Sequence, residues 1–124
     1  MANNRILIVE DEESLLKLES ILLTSRGYHV RGVTDGATAL REIVANPPDL
    51  VLLDIMMPGI DGFEVCRRIK EDPQTRNIPV VMLTAKKSSM DQARGMQVGA
   101  DAYITKPFKS VKIIEVIEGL LKHR

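Results

Sequence analysis

The 124-residue sequence has no tryptophan, a single cysteine and no net charge. With Cys66 alone, an internal disulfide bond is excluded, and this usage is typical of a reducing compartment such as the cytoplasm. Basic and acidic residues number 17 each, which gives no general attraction to nucleic acid. The first apolar run, Ile6 to Val9, is too short for a signal peptide or a membrane span. We therefore expect a cytoplasmic domain without direct contacts to nucleic acid or membrane.

Short apolar runs alternate with helical patterns along the chain. Five runs predict strands: RILIVE, YHVRGV, LVLL, IPVVMLT and AYIT. A helical pattern follows each of them. The first pattern has apolar residues at helical spacing at Leu15, Leu18, Ile21 and Leu22, and the fourth contains an internal glycine, Gly95, which disfavours a helix. Five strand–helix units predict one doubly wound α/β domain over residues 1–124, with a five-stranded parallel sheet and five helices.

Chemically active side chains come directly after four of the five predicted strands. In open α/β sheets, ligands bind outside the carboxyl ends of the strands, where the strand order reverses. With the flavodoxin-like strand order 2-1-3-4-5, the third strand is central and its neighbours end beside it. The residues after the first, third, fourth and fifth strands supply three carboxylates, a hydroxyl group and an ammonium group: Glu10, Asp11, Asp54, Thr84 and Lys106. We expect these side chains to share one site.

Each of these residues also has a purely structural explanation when it is taken alone. Asp54 could begin a turn, Asp11 could cap the first helix, and Thr84 and Lys106 could be ordinary loop residues. Clustered carboxylates repel, since two like charges ~4 Å apart cost about 4 kcal/mol at an effective dielectric of ~20. Lys106 compensates only part of that charge. Because the ligands are all oxygens, the pattern favours a bound Mg²⁺ or Mn²⁺.

The segments VEDEE, LLDIMMPGIDG, VVMLTA and GADAYITKPF occur in this order, and through them the chain resembles the receiver domain of two-component response regulators. The resemblance covers residues 5–121. It implies that Asp54 accepts phosphate and that Glu10, Asp11 and the backbone carbonyl of Met56 hold Mg²⁺ with it. Glu10 is a departure, since many members carry Asp at this position.

The same resemblance implies roles for the remaining site residues. Thr84 and Lys106 would bind the phosphoryl oxygens, Tyr103 would be an aromatic switch, and the Lys106–Pro107 peptide bond would be cis. Met56 and Lys86 lie two residues beyond Asp54 and Thr84, so we interpret their side chains as groups that set the lifetime of the phosphate.

Partners follow from the resemblance as well. The phosphodonor would be a histidine kinase or a phosphotransfer protein, and the chain would promote only its own phosphorylation and dephosphorylation rather than act as an enzyme on another substrate. An output protein or a second copy would dock on the face made by the fourth helix, fifth strand and fifth helix. On the last helix, Val116 or Ile114 is expected at the contact edge. We expect no effector domain in this chain.

Three other functions are less well supported. A phosphatase of the haloacid-dehalogenase type needs a second acid two residues after the nucleophile, where this chain has Met56. A flavin or nucleotide carrier needs a glycine-rich loop or aromatic side chains for stacking, and only two Tyr and two Phe are present. A docking module that takes no phosphate would not need the acids, the hydroxyl group and the lysine together.

Overall fold

The computed structural model describes residues 4–86 and 88–122 and contains five strands and five helices in strict alternation. The strands are β1 (Arg5–Val9), β2 (His29–Val33), β3 (Leu50–Leu53), β4 (Val80–Thr84) and β5 (Ala102–Thr105). The helices are α1 (Glu13–Thr24), α2 (Gly36–Ala45), α3 (Gly62–Glu71), α4 (Ser89–Gln97) and α5 (Ser110–Lys122). None of the helices in this described part of the chain is long and apolar enough to cross a membrane.

All strand pairs in the sheet are parallel, and the strand order is β2-β1-β3-β4-β5. Val9, the last residue of β1, pairs with Val33 on one side and Leu53 on the other. Thr84 at the end of β4 pairs with Thr105 at the end of β5. The strands therefore end at one common edge, and the predicted doubly wound fold is confirmed.

The two faces of the sheet are covered by different helices, as the alternation of side chains along a strand requires. Helices α1 and α5 cover the face that carries Ile6, Ile8, Leu50, Leu52, Val81 and Leu83. Helices α2 and α3 cover the other face, which carries Leu7, Val9, Val51, Leu53, Val80 and Met82. Helix α4 lies on this second face too, because Gly95 is close to Met82 and Arg94 stacks on Phe63 at 4.3 Å.

The structure shows which apolar residues of α1 face the core, and it corrects one prediction about the contact edge of α5. On α1, Leu18 and Ile21 are exposed to 57% and 58%, whereas Leu16 packs against the core and Leu23 is fully buried. Leu22 also packs against the core, so the sheet takes Leu16, Leu22 and Leu23 of this leucine-rich helix. On α5, Ile114 is buried within the core, so it does not lie at a contact edge.

Candidate functional site

The predicted site residues lie at the last paired residues of the strands or directly after them, and backbone hydrogen bonds hold them there. The Asp54 amide donates to the Val9 carbonyl oxygen at 2.9 Å, which extends the β1–β3 ladder by one residue. The Lys106 amide donates to the Thr84 carbonyl oxygen at 2.7 Å and extends the β4–β5 ladder likewise. These residues are therefore placed by the sheet itself rather than by a mobile loop.

The turn after Asp54 folds tightly back onto the start of α3. The Gly62 amide donates to the Ile55 carbonyl oxygen at 2.9 Å. A Cβ atom on Gly62 would lie 2.6 Å from the Asp54 carbonyl oxygen, so only glycine permits this approach. Asp61 then caps α3 by accepting from the Glu64 amide at 3.0 Å. The Asp54 side chain itself accepts from the Met56 amide at 3.2 Å.

Glu10, Asp11 and Asp54 each place a carboxylate oxygen within 4.8 Å of the others. Glu10 and Asp54 are buried, with exposures of 2% and 6%, and Asp11 is exposed. The three acids line an open cleft of about 430 Å³ together with Glu12, Met56, Ala85 and Lys106. Three oxygen ligands at this spacing fit a hard divalent cation such as Mg²⁺.

Lys106 is the cation among the described residues that line this cleft. Its ammonium nitrogen lies 3.4 Å from Glu10 Oε1 and 3.7 Å from Asp54 Oδ2. Burial lowers the pKa of Lys106, but the charges of Asp54 and Glu10 outweigh burial and the net direction is upward. Lys106 is therefore charged at neutral pH. One ammonium group facing three carboxylates leaves a negative site when all of them are ionised, which favours a further cation.

Burial and the neighbouring acid Asp54 favour the protonated form of Glu10. Its pKa is raised to about 8, first by burial and then by the hydrogen bond and the charge of Asp54. A carboxylate must be ionised to bind a metal ion, so a cation that binds here displaces that proton.

Asp11 does not cap the first helix. The N-cap residue of α1 is Glu12, and it makes no side-chain hydrogen bond to the helix. The alternative that Asp11 caps the first helix is therefore wrong. Its carboxylate lines the cleft instead.

Thr84 and Tyr103 meet at the main chain of Lys86. Thr84 is fully buried, and its hydroxyl oxygen accepts from the Lys86 amide at 3.2 Å. The Tyr103 hydroxyl group donates to the Lys86 carbonyl oxygen at 2.7 Å. The Tyr103 ring packs against α4, where a Cβ atom on Gly95 would lie 2.8 Å from Cδ2 of the ring. The glycine inside α4 is thus explained by close packing on Tyr103.

Met56 and Lys86 are placed differently with respect to the cleft. The Met56 side chain is 54% exposed and lines it. Lys86 is half-buried and is not one of the lining residues. The Lys106–Pro107 peptide bond is cis, the form that the resemblance to receiver domains implied.

Comparison with known proteins assigns this arrangement to a family. The family model described as "Response regulator receiver domain" matches residues 6–118. The chain belongs to the response regulator receiver domain family. Receiver domains of two-component systems are signalling domains that take phosphate from histidine kinases and regulate output domains.

Curated relatives of this receiver domain are longer proteins. The chain is 42% identical to the response regulator PleD of Caulobacter vibrioides over 120 residues, which cover 97% of the chain and 26% of PleD. It is 39% identical to the alkaline phosphatase synthesis transcriptional regulatory protein PhoP of Bacillus subtilis, again over 97% of the chain and 49% of that relative. The chain thus spans between a quarter and a half of these relatives.

Solved structures support the same assignment. The receiver domain protein (CheY-like) of Methanospirillum hungatei superposes with a TM-score of 0.92 at 28% identity, over 98% of this chain and 95% of that one. The receiver domain of the sensor histidine kinase PA1611 from Pseudomonas aeruginosa superposes with a TM-score of 0.89 at 30% identity, over 97% and 98% of the two chains. That structure has a magnesium ion coordinated in its active-site cleft.

One acidic residue that acts on the site does not follow a predicted strand. Glu19 on α1 is 2% exposed and interacts electrostatically with Lys106 and Asp54. The available signal was its spacing, since residue 19 falls three positions after Leu16 and four before Leu23, on the stripe that faces the sheet.

Proposed function

We propose that this receiver domain accepts a phosphoryl group on Asp54 in a reaction that depends on a divalent cation. The observation that carries the proposal is the position of the Asp54 carboxylate: it is buried at a strand end, shares an acidic cluster with Glu10 and Asp11, and has the Lys106 ammonium group 3.7 Å away. A carboxylate is a competent nucleophile toward phosphorus and forms an acyl phosphate.

The transfer requires little covalent chemistry from the protein. An oxygen of Asp54 forms a bond to phosphorus while the bond from phosphorus to the donor breaks, and the donor leaves with its electron pair and takes up a proton. We infer that the donor is a phosphohistidine side chain of a kinase or phosphotransfer protein. Phosphoryl transfer then depends on positioning and charge neutralisation. Lys106 supplies a fixed positive charge beside the nucleophile.

Glu10, Asp11, Asp54 and the backbone carbonyl of Met56 are the groups that would hold Mg²⁺ or Mn²⁺. When bound, the cation neutralises negative charge that builds up on the phosphoryl oxygens. Support for this site comes from the oxygen-only ligand set and from the spacing of the three carboxylates. The magnesium ion in the cleft of the PA1611 receiver domain is consistent with it.

Thr84 and Tyr103 carry the proposed switch. Phosphorylation adds oxygens that can accept from the Thr84 hydroxyl group, whose oxygen accepts from the Lys86 amide. A movement of this loop would change the partner of the Tyr103 hydroxyl group, because both bonds end on Lys86. The negative charge of the phosphoryl group would in this way shift the loop that carries Lys86 from one position to another.

The output surface that we propose consists of α4, β5 and α5, with Tyr103 on β5. On α4, the side chains of Met90 and Met96 are exposed to 82% and 57%. On α5, Val116 is half-buried. Exposed apolar side chains on this surface suit a partner protein or a second copy of the domain.

Met56, at the mouth of the cleft, is the side chain that we propose sets the lifetime of the phosphate, with a smaller contribution from Lys86.

The experiment that tests the proposed function is intact-mass measurement after incubation with acetyl phosphate, with and without Mg²⁺. We expect a gain of one phosphoryl group only when the cation is present. No gain under either condition contradicts the proposal.

A further inference from the structure

The face of α1 that packs on the sheet carries a carboxylate at its centre. Glu19 is 2% exposed, and its neighbours on the same stripe, Leu16 and Leu23, belong to the core. Two aliphatic residues of the same helix, Leu18 and Ile21, are by contrast more than half exposed. The helix thus buries an acid while it leaves leucine and isoleucine outside. A helix normally buries its apolar residues and exposes its charged ones, and departures from that pattern occur mainly at functional sites.

The buried carboxylate is incompletely paired. Within the described residues, Glu19 Oε2 is a buried side-chain oxygen with no hydrogen-bond partner. A buried ionised carboxylate without donors is unfavourable, and it stays in a fold only if something nearby compensates its charge. Three charged groups act on it. Lys106 on the β5–α5 loop attracts its negative charge, while Asp54 at the end of β3 and Glu12 at the start of α1 repel it.

Lys106 therefore interacts with acids on two sides. Glu10 and Asp54 lie in the cleft at 3.4 Å and 3.7 Å from its nitrogen. Glu19 does not line the cleft and acts on Lys106 from the core. The interaction is reciprocal: the charge of Glu19 raises the pKa of Lys106, and Lys106 lowers the pKa of Glu19, which burial as the larger effect raises to about 7.

We propose that Glu19 is a positioning residue for Lys106: its ionised carboxylate draws the ammonium group toward α1, and its protonation releases that group to the phosphoryl site. This inference deepens the proposed function and rests on it for the phosphorylation step. A phosphoryl group on Asp54 adds negative charge near Lys106, which an ionised Glu19 opposes and a protonated Glu19 does not. Phosphorylation should therefore be accompanied by proton uptake at Glu19, and the phosphorylated fraction should fall as pH rises through the titration of Glu19.

The first test uses the metal-free, unphosphorylated protein, so it does not depend on phosphate transfer. The titration of the Glu19 side-chain carboxyl carbon is followed by NMR in wild type and in Lys106→Met. Loss of the Lys106 ammonium group should move the midpoint of the Glu19 titration to higher pH. A midpoint that does not move shows that Lys106 and Glu19 are not coupled and overturns the inference, whether or not the protein takes phosphate.

The second test compares the phosphorylated fraction in wild type and Glu19→Gln between pH 6 and pH 8.5, with acetyl phosphate and saturating Mg²⁺. The glutamine keeps the shape of the side chain without its charge. We expect equal fractions at the low end of this range and a ratio of phosphorylated to unphosphorylated protein about fivefold higher in Glu19→Gln at the high end. A factor of five corresponds to about 1 kcal/mol, the size of one unit-charge interaction that is partly screened by solvent.

Two further variants complete the design. Glu13→Gln removes an exposed acid from the first turn of α1 and should follow the wild-type profile. Glu19→Met, which also lacks the charge, replaces Glu19→Gln if the amide cannot be accommodated in the core. Parallel pH profiles for wild type and the uncharged variants overturn the inference. A wild-type protein that takes no phosphate at any pH contradicts the proposed function instead, and the NMR titration then decides the Glu19–Lys106 coupling by itself.

Discussion

The Tyr103 hydroxyl group donates a 2.7 Å hydrogen bond to the carbonyl oxygen of Lys86. The amide of the same residue is bound by the Thr84 hydroxyl oxygen. The loop that follows β4 is thus held by one side chain from the buried end of its own strand and by one from β5. Any shift of Lys86 changes both bonds, and this links the end of β4 to the surface made by α4, β5 and α5.

Gly95 should be essential for the position of Tyr103. Alanine in the interior of a helix is normally favoured over glycine by about 0.5–1 kcal/mol. At residue 95, however, a Cβ atom would lie 2.8 Å from the Tyr103 ring and 3.2 Å from Met82 Sδ. We expect Gly95→Ala to lower the free energy of unfolding, measured in urea, because the ring must shift.

The matched control for this variant is Gly119→Ala in α5, where no other part of the described chain lies within 4 Å of the added Cβ beyond the adjoining residues and backbone of its own helix. It should stabilise the protein by about 0.5–1 kcal/mol. Adding Tyr103→Leu to Gly95→Ala should recover much of the lost stability, since it removes the ring. Equal stabilisation by both alanines would show that α4 does not depend on close contact with Tyr103.

Asp11→Asn should weaken Mg²⁺ binding strongly without destabilising the metal-free protein. Asp11 is not the N-cap of α1, so no capping energy is lost, and one negative charge leaves the acidic cluster. Binding is measured by titration calorimetry and stability by thermal unfolding in EDTA. Glu13→Gln, on the exposed first turn of α1, is the control for a general charge effect. A wild-type magnesium titration for Asp11→Asn would refute its role as a ligand.

Glu19 should make the folded protein less stable as pH rises. Its pKa is about 7 in the folded state, against an ordinary glutamate value of 4.5. Between these values the folded protein holds a proton that the unfolded chain has lost, so stability falls with increasing pH and is lowest above pH 7. At 1.36 kcal/mol per pKa unit, the difference amounts to roughly 3 kcal/mol.

Glu19→Leu removes this titration and supplies an apolar side chain to the core. In urea unfolding at pH 5 and pH 8, the stability advantage of the variant over wild type should be larger at pH 8. The same advantage at both pH values would contradict a folded-state pKa near 7.

Val116→Glu tests the output surface. A charge on this half-buried edge of α5 should abolish any change of self-association on phosphorylation, measured by sedimentation, while Asp54 still takes phosphate. Val44→Glu is the control, because Val44 is an exposed aliphatic residue on α2, away from the proposed surface. If both variants associate as wild type does, the signal leaves by another face.

Much of the fold and of the candidate site follows from the sequence, because in a parallel sheet the strand ends determine which residues meet. That is why Glu10, Asp54 and Lys106 could be placed together before their contacts were known. The inward side of α1 could not be predicted, since its apolar residues lie on more than one side of the helix and helical spacing alone does not choose between them. Packing against the sheet determines which side of α1 faces inward, and that side contains Glu19.

The position of Ile114 was missed for a related reason. The apolar arc of α5 is wider than the stripe that one sheet face needs, so spacing alone leaves the exposed margin undefined. In the structure, Ile113, Ile114 and Ile117 are all buried, and Val116 stays at the edge.

The most direct test of the central claim is peptide mapping after incubation with acetyl phosphate and Mg²⁺. We predict one phosphoryl group, located on Asp54, and its complete loss in Asp54→Asn. Asp61→Asn, which keeps a good helix-capping side chain seven residues further on, should be phosphorylated as wild type is. A phosphoryl group that persists in Asp54→Asn at the wild-type level, on any other residue, would contradict the account.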